Sequence, residues 1–513
     1  AALGVVGGIN LGPRGIVSIA GDLGQSLSVG GPMILDGGAF VVGHDLAGAL
    51  NVGSIDVDNA GSFIVGEDLT GGGQVVGDLD VSGQGVFSVG RDMGGLTVGK
   101  TLRVDTGGTL SVGNDLRGDV ILGGLSLTDQ GQFTVGRDVT GRLAVTGDAL
   151  LGNGGLLSLG RNLSELSVGG DLRVLPGGFI NVGGNLNLLR VEGTFYGQGS
   201  KSATDLKVGL DLGSLTVLGG APNQGSIQGA NIDVVKSILA LDVRHGIFHS
   251  YVTAGVLIDG GPSVPSGGNI GPDGPDAILN SEINAGVRIQ NLIINGNVRS
   301  TFVTDPNSPG YPTRIVAGLD RAGHYSSASV IDNFQILGTM FDSVVAASVA
   351  PYGGDGTLPP GGYSPERVVG PPPGDGGNDV YDAPAGFVLG GTVGAPIRYA
   401  TYAPVGYQNM RPTNDPSYVF FNPLYSPAYW NTVTDPTIDD AILPGAINPS
   451  FAVTPLPPDD LLDPTTELPL PSRSTVLGGV VTTVKPGEGD EYDNAGLFAA
   501  DTRGVFIGTL PDA

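Results

Sequence analysis

The motif F-x-V-G-x-D and its close variants recur as VSIAGD, FVVGHD, FIVGED, FSVGRD, LSVGND, FTVGRD and LSLGRN, ending at Asp22, Asp45, Asp68, Asp92, Asp115, Asp138 and Asn162. The spacings are 23, 23, 24, 23, 23 and 24 residues, and an eighth copy, INVGGN, ends 23 further on at Asn185. Two more short alternating segments keep step with it. One runs through Val29, Val52, Val76, Val98, Leu122, Val145 and Val168, the other through Leu35, Val57, Val81, Val104, Leu127, Leu151 and Val174. A period held this constant makes each unit one module that buries its apolar side only by stacking on its neighbours.

Within a unit the apolar residues alternate with polar ones. In FSVGRDMGGLTVGKTLRVDTGG, Phe87, Val89, Leu96, Val98, Leu102 and Val104 point one way, and Ser88, Thr97 and Arg103 the other. Three short strands per unit, separated by glycine-bearing corners, predict an all-β chain wound as a parallel β-helix with three strands per coil. The crossover preference makes it right-handed. A hairpin sheet is disfavoured, because tight antiparallel turns do not lock three columns to one period. Gly43, Gly66, Gly90, Gly113, Gly136 and Gly160 form one corner column, where a positive φ is expected. The Asp or Asn that follows is expected to cap its own turn in solvent, partly paired with Arg91, Arg137 or Arg161.

Regularity defines the organisation. Residues 1–225 read as the regular β-helix, with GQGSKSATD at 197–205 as a protruding loop where the spacing widens to 26 at Asp211. Residues 226–350 read as irregular coils with inserted loops. Of 36 prolines, 25 lie from residue 351 onward, and twelve of the fourteen tyrosines lie at or after Tyr311. Proline excludes central strands, while aromatics argue against a disordered linker. Residues 351–473 are therefore expected to form an extended aromatic arm, and 474–513 to hold C-terminal strands.

The net charge of −26 makes nucleic acid an unsuitable partner. No run of apolar residues is long enough for a membrane-spanning helix. The chain lacks cysteine, so thiolate metal sites are excluded. Its first residues, AALGVV, show neither an initiator Met nor a charged n-region, which suggests a mature secreted chain.

Acidic clusters are the natural place to look for a cofactor, and calcium is the one they suggest. The candidates are Asp273 and Asp276 in GPDGPDA, and Glu488, Asp490, Glu491 and Asp493 in EGDEYDN; neither matches an EF-hand loop. The stacked aspartates of the repeat could also be bridged by calcium. His245 and His249 have a zinc-compatible spacing only on a helix, whereas their context is strand and turn. Glycoside hydrolysis needs two carboxylates facing one groove. The pairs Asp439-Asp440 and Asp459-Asp460 fall in the proline-rich arm instead. The chain is therefore expected not to be an enzyme.

The repeat's VGxDL pattern and the stretch SVVAASVAPYGGDGT at 343–357 resemble large secreted repeat proteins of environmental bacteria. More loosely, the repeat resembles the β-helical shafts of filamentous haemagglutinin-type adhesins, over about residues 1–355. The resemblance implies an extracellular or cell-surface role and supplies no catalytic residues. Parallel β-helices have two open ends. Together these readings suggest a homopolymer in which rods stack head to tail, with the C-terminal arm contacting the neighbour. The assembly residues would be Val5 and Val6 at one end, and Tyr425, Tyr429, Trp430, Val505, Phe506 and Ile507 in the arm. The alternative is a protein that binds or cleaves cell-surface polysaccharide.

Overall fold

The computed structural model describes residues 3–299 apart from Lys201, 220–224, 262–269 and 272–275. Beyond these it describes 313–318, 329–336 and short strands between Met340 and Ile507. Among the described residues every regular element is a strand. Contacts divide the chain into two units, Ala1–Ile238 and Leu239–Ala513.

The first unit is a parallel β-solenoid. One face is a ladder of ten strands running from Ile16–Ile19 to Asn231–Val234. Val86–Val89, for instance, pairs in parallel with Ser62–Val65 below and Thr109–Val112 above, residue for residue. The chain then turns and continues as Leu96–Val104, a strand whose register breaks between Val98 and Thr101, so that one bent strand supplies the other two sides of the coil. Alternation is what makes this geometry bury a core. Phe40, Val42, Phe63, Val65, Phe87 and Val89 are buried to 1% exposure or less, while the residues between them stay half-exposed.

Each coil also carries a fourth inward column, at the residue after the repeat's Asp. Leu23, Leu46, Leu69, Met93, Leu116 and Val139 are joined by single-residue parallel bridges. The pattern was present as the L of VGxDL, but one residue is too short to show a strand period. One column assignment is corrected: Val75, not Val76, pairs with Val52, and Val76 is 69% exposed.

The corner glycines exist for a different reason from the expected one. Gly43, Gly66, Gly90, Gly113, Gly136 and Gly160 are absent from the left-handed residues. A Cβ on Gly90 would instead strike the Gly66 carbonyl oxygen of the preceding coil, and one on Gly113 that of Gly90. The column is glycine because neighbouring coils touch backbone to backbone there. Left-handed residues occupy another corner, where Asn59 (φ 51°), Gln84 (φ 64°), Gly107 (φ 75°) and Gln130 (φ 67°) precede the first-face strand.

The second unit also builds parallel ladders. Tyr251–Ala254, Glu282–Ala285, Thr313–Ala317 and Ser343–Ala347 pair in order. Gly496–Phe498 adds to the last of these. Within the segment expected to be an extended arm, Gly386–Val393 pairs in parallel with Ser329–Ile336. Its sequence, GFVLGGTV, is free of proline, which is why it can join a ladder. No helix of the described residues is long and apolar enough to cross a membrane.

Candidate functional site

The acidic repeat positions form a ladder rather than a set of separate caps. The Asp68 backbone N–H donates to Asp45 Oδ1 at 3.0 Å, Asp92 N–H to Asp68 Oδ1 at 3.0 Å, and Asp115 N–H to Asp92 Oδ1 at 3.0 Å. The series continues through Asp138, Asn162, Asn185 and Asp211 to the N–H of Ser237. Each side chain thus satisfies the turn amide of the next coil, not of its own. The expectation of self-capping is corrected accordingly. Where the corner lacks a strand hydrogen bond, the carboxylate supplies one, so the ladder stitches coils together at the place the sheet leaves open. Arg117 also pairs with Asp92, while the guanidinium of Arg137 lies 3.8 Å from Asp115 Oδ1.

A denser acidic patch lies on the third side of the coils. Asp56 and Asp80 are register partners, with Arg103 next above, its Nη1 3.6 Å from Asp80 Oδ1. Burial, then the charges of Asp58 and Asp36, push the Asp56 carboxyl up. Burial also raises Asp80, opposed by Arg103 and reinforced by Asp78, Asp56 and Asp105. Among the described residues no group of three or more His, Cys, Asp or Glu side chains could hold a metal ion.

Of the calcium candidates, Asp276 opens the strand Asp276–Leu279 and its Oδ1 accepts from Asn297 Nδ2 at 3.4 Å. Asp273, Glu488, Asp490, Glu491 and Asp493 lie outside the described residues, as do Tyr425, Tyr429 and Trp430. His245 is buried, and His249 sits in a left-handed turn at φ 50°. Val505–Ile507 is paired within the chain, in parallel with Thr392 and Val393 and antiparallel with Thr475 and Val476. Val5 is in the first strand, Leu3–Val5, and Val6 beside it is 99% exposed.

An open groove of about 390 Å³ crosses coils three to five. Its floor is Gly71, Gly72, Gly73, Gly94 and Gly95, and Asn51, Gln74 and Thr97 stand along one side. These three are successive outward positions of one ladder. Bare peptide planes beside a row of neutral polar side chains offer an extended chain both a flat surface and hydrogen bonds.

Sequence reasoning missed Asp205. It ends the GQGSKSATD loop and is fully buried. Gln198 donates to Oδ1 from Nε2 at 2.9 Å and from its backbone at 3.3 Å, and the Asn231 N–H donates to Oδ2 at 2.7 Å. Gln198 also grips the coil before, with Nε2 donating to the Gly178 carbonyl at 3.0 Å and Oε1 accepting from Gly177 at 2.9 Å. The widened spacing was the signal, since an insertion must be tied down where it leaves the coil. Burial pushes the carboxyl from 3.8 to about 6, against the hydrogen bonds, which lower it. A pKa raised on folding stabilises fully below the unfolded value, and that contribution is lost as pH rises through the folded one. Relative to Asp205→Asn, the native protein should therefore lose about 2 kcal/mol of stability between pH 4 and pH 7, most of what the shift from 3.8 to about 6 carries at ~1.4 kcal/mol per unit of pKa difference. Urea melts of both proteins across that window check it; parallel pH profiles would refute it.

No protein-family model, curated protein or solved structure matches the chain.

Proposed function

We propose that the chain is a structural, non-catalytic subunit, extracellular or on a cell surface, that assembles end to end through its solenoid. One observation carries this reading. The repeated carboxylates serve stacking: Oδ1 of Asp45, Asp68 and Asp92 each accepts the corner N–H of the following coil at 3.0 Å, so every coil is built to hold the next one. A module that buries its apolar side only against like modules suits contact with the solenoid of a second copy.

The structural reading is favoured over a catalytic one by how the repeated carboxylates are used: their Oδ1 atoms are engaged by backbone amides along the solenoid. The extracellular placement rests on the resemblance of the VGxDL repeat to secreted repeat proteins. The polysaccharide-binding alternative rests on the groove beside Asn51, Gln74 and Thr97.

Negative-stain microscopy of the full chain at micromolar concentration tests the proposal. The native protein should lengthen into filaments, and Val5→Lys with Val17→Lys should remain short with unchanged circular dichroism. Native protein that stays as single particles, or variants that polymerise equally, would overturn it.

A further inference from the structure

The insertion between Tyr196 and Leu206 closes over a single buried acid. Asp205 is fixed by its own backbone in the first-face ladder: its N–H donates to the Asn231 carbonyl at 2.9 Å, and its carbonyl accepts from the Ile180 N–H at 2.9 Å. Residues 197–200 are laid over its side chain, and none of the four is itself buried. Gln198 meets the carboxylate with both its backbone N–H and its Nε2. A Cβ on Gly197 would lie 2.3 Å from Asp205 Oδ2, so nothing larger than glycine fits between this segment and the acid. The segment is held to the coils on either side by hydrogen bonds alone. Gly197 donates to the Gln228 carbonyl at 2.9 Å and Gly199 to the Gly229 carbonyl at 2.7 Å, while the Gln198 side chain spans Gly177 and Gly178.

Independently of how the chain assembles, we propose that residues 197–200 form a proton-operated strap, closed over Asp205 while that carboxyl is protonated and lifting locally, with the solenoid intact, as it ionises. An anchored acid under a movable cover is the geometry such a device needs. Lifting the cover hydrates the charge without breaking a rung of the ladder. It also bares the Gly177 N–H and the Gly178, Gln228 and Gly229 carbonyls, backbone groups of the two neighbouring coils that the strap otherwise satisfies.

The direction follows from what closure does to the acid. Burial raises the Asp205 carboxyl from 3.8 to about 6, against the hydrogen bonds of Asn231 and Gln198, which lower it. A group raised by closure favours the closed state fully below the lower value, and that preference is lost as pH rises through the higher one. The opening equilibrium should therefore grow about fiftyfold between pH 4 and pH 7. The ionisable groups on the surrounding elements lie off this contact. Tyr196, on the strand before the strap, is stacked with Arg173 at 4.6 Å. Lys207 and Asp233 take half-exposed outward positions on the strands Leu206–Val208 and Asn231–Val234, and Lys201 lies outside the described residues.

Hydrogen exchange of the full chain, corrected for the intrinsic chemical rate at each pH, tests this. The amides of Gly197 and Gly199 should open more often than those of Gly113 and Gly136 at every pH, which marks the event as local. Their opening should grow about fiftyfold from pH 4 to pH 7. In Asp205→Asn the growth should vanish. Gln198→Ala should keep it and extend it to higher pH, because a donor that holds the carboxyl down is gone. Strap amides that exchange only at the rate of Gly113, an opening that does not change with pH, or growth that persists in Asp205→Asn would overturn the proposal.

Discussion

Gly113→Ala should cost at least ~3 kcal/mol of stability, the upper range for overpacking. The change adds one methyl group, but that methyl lands on the carbonyl oxygen of Gly90 in the coil below. A side chain could rotate away; a carbonyl held in the coil cannot. The Gly113 N–H is bonded to the Val89 carbonyl at 2.9 Å, and Gly136 N–H in turn to the Val112 carbonyl at 2.9 Å. Relief therefore requires prising two coils apart at the corner, where the Asp92 to Asp115 hydrogen bond also crosses. Gly107→Ala is the informative contrast. Gly107 has φ 75°, and the nearest atom to an added Cβ is Gln84 Cγ at 3.7 Å, so space is available and only the left-handed penalty applies. That penalty is about 1–2 kcal/mol for alanine and smaller for asparagine. Urea denaturation of the two variants separates the mechanisms: equal losses would show that backbone contact does not govern the corner column.

The two glycines also show where reading the sequence succeeded and where it stopped. The 23-residue period exposed the coil, its three sides and most inward residues, because each depends on alternation that a one-dimensional pattern records. It could not say why a column is glycine, since positive φ and a backbone collision leave the same letter. The same ambiguity hid the role of Asp45, Asp68 and Asp92. An Asp after a glycine reads as a cap for its own turn, and only the stacking of coils reveals that its partner lies 23 or 24 residues away. Leu46 and Met93 were missed because a single bridging residue carries no period. Asp205 was missed because its burial depends on Gln198 and Asn231, which come together only across coils.

Phe63→Ala should be nearly as damaging, yet confined in space. Phe63 is fully buried between Phe40, with ring centroids 5.6 Å apart at 11°, and Phe87, at 4.8 Å and 18°. Truncating such a ring costs about 3–5 kcal/mol through lost transfer energy and the cavity left behind, with ~1 kcal/mol of that sequence-specific stacking. Phe133→Ala should cost less by about that stacking amount, because its register neighbours are Leu110 and Leu157. Phe63→Leu should cost under ~1.5 kcal/mol, since leucine is the residue the same column uses at 110 and 157. In a solenoid each coil contacts only its neighbours, so a local loss need not unfold the whole stack. Hydrogen exchange of Phe63→Ala should accordingly show the amides of Gly43, Gly66 and Gly90 losing protection while those of Gly183 and Gly209 keep it. Uniform loss along the ladder would mean that the first unit unfolds as one cooperative block, and the nearest-neighbour description of its stability would fail.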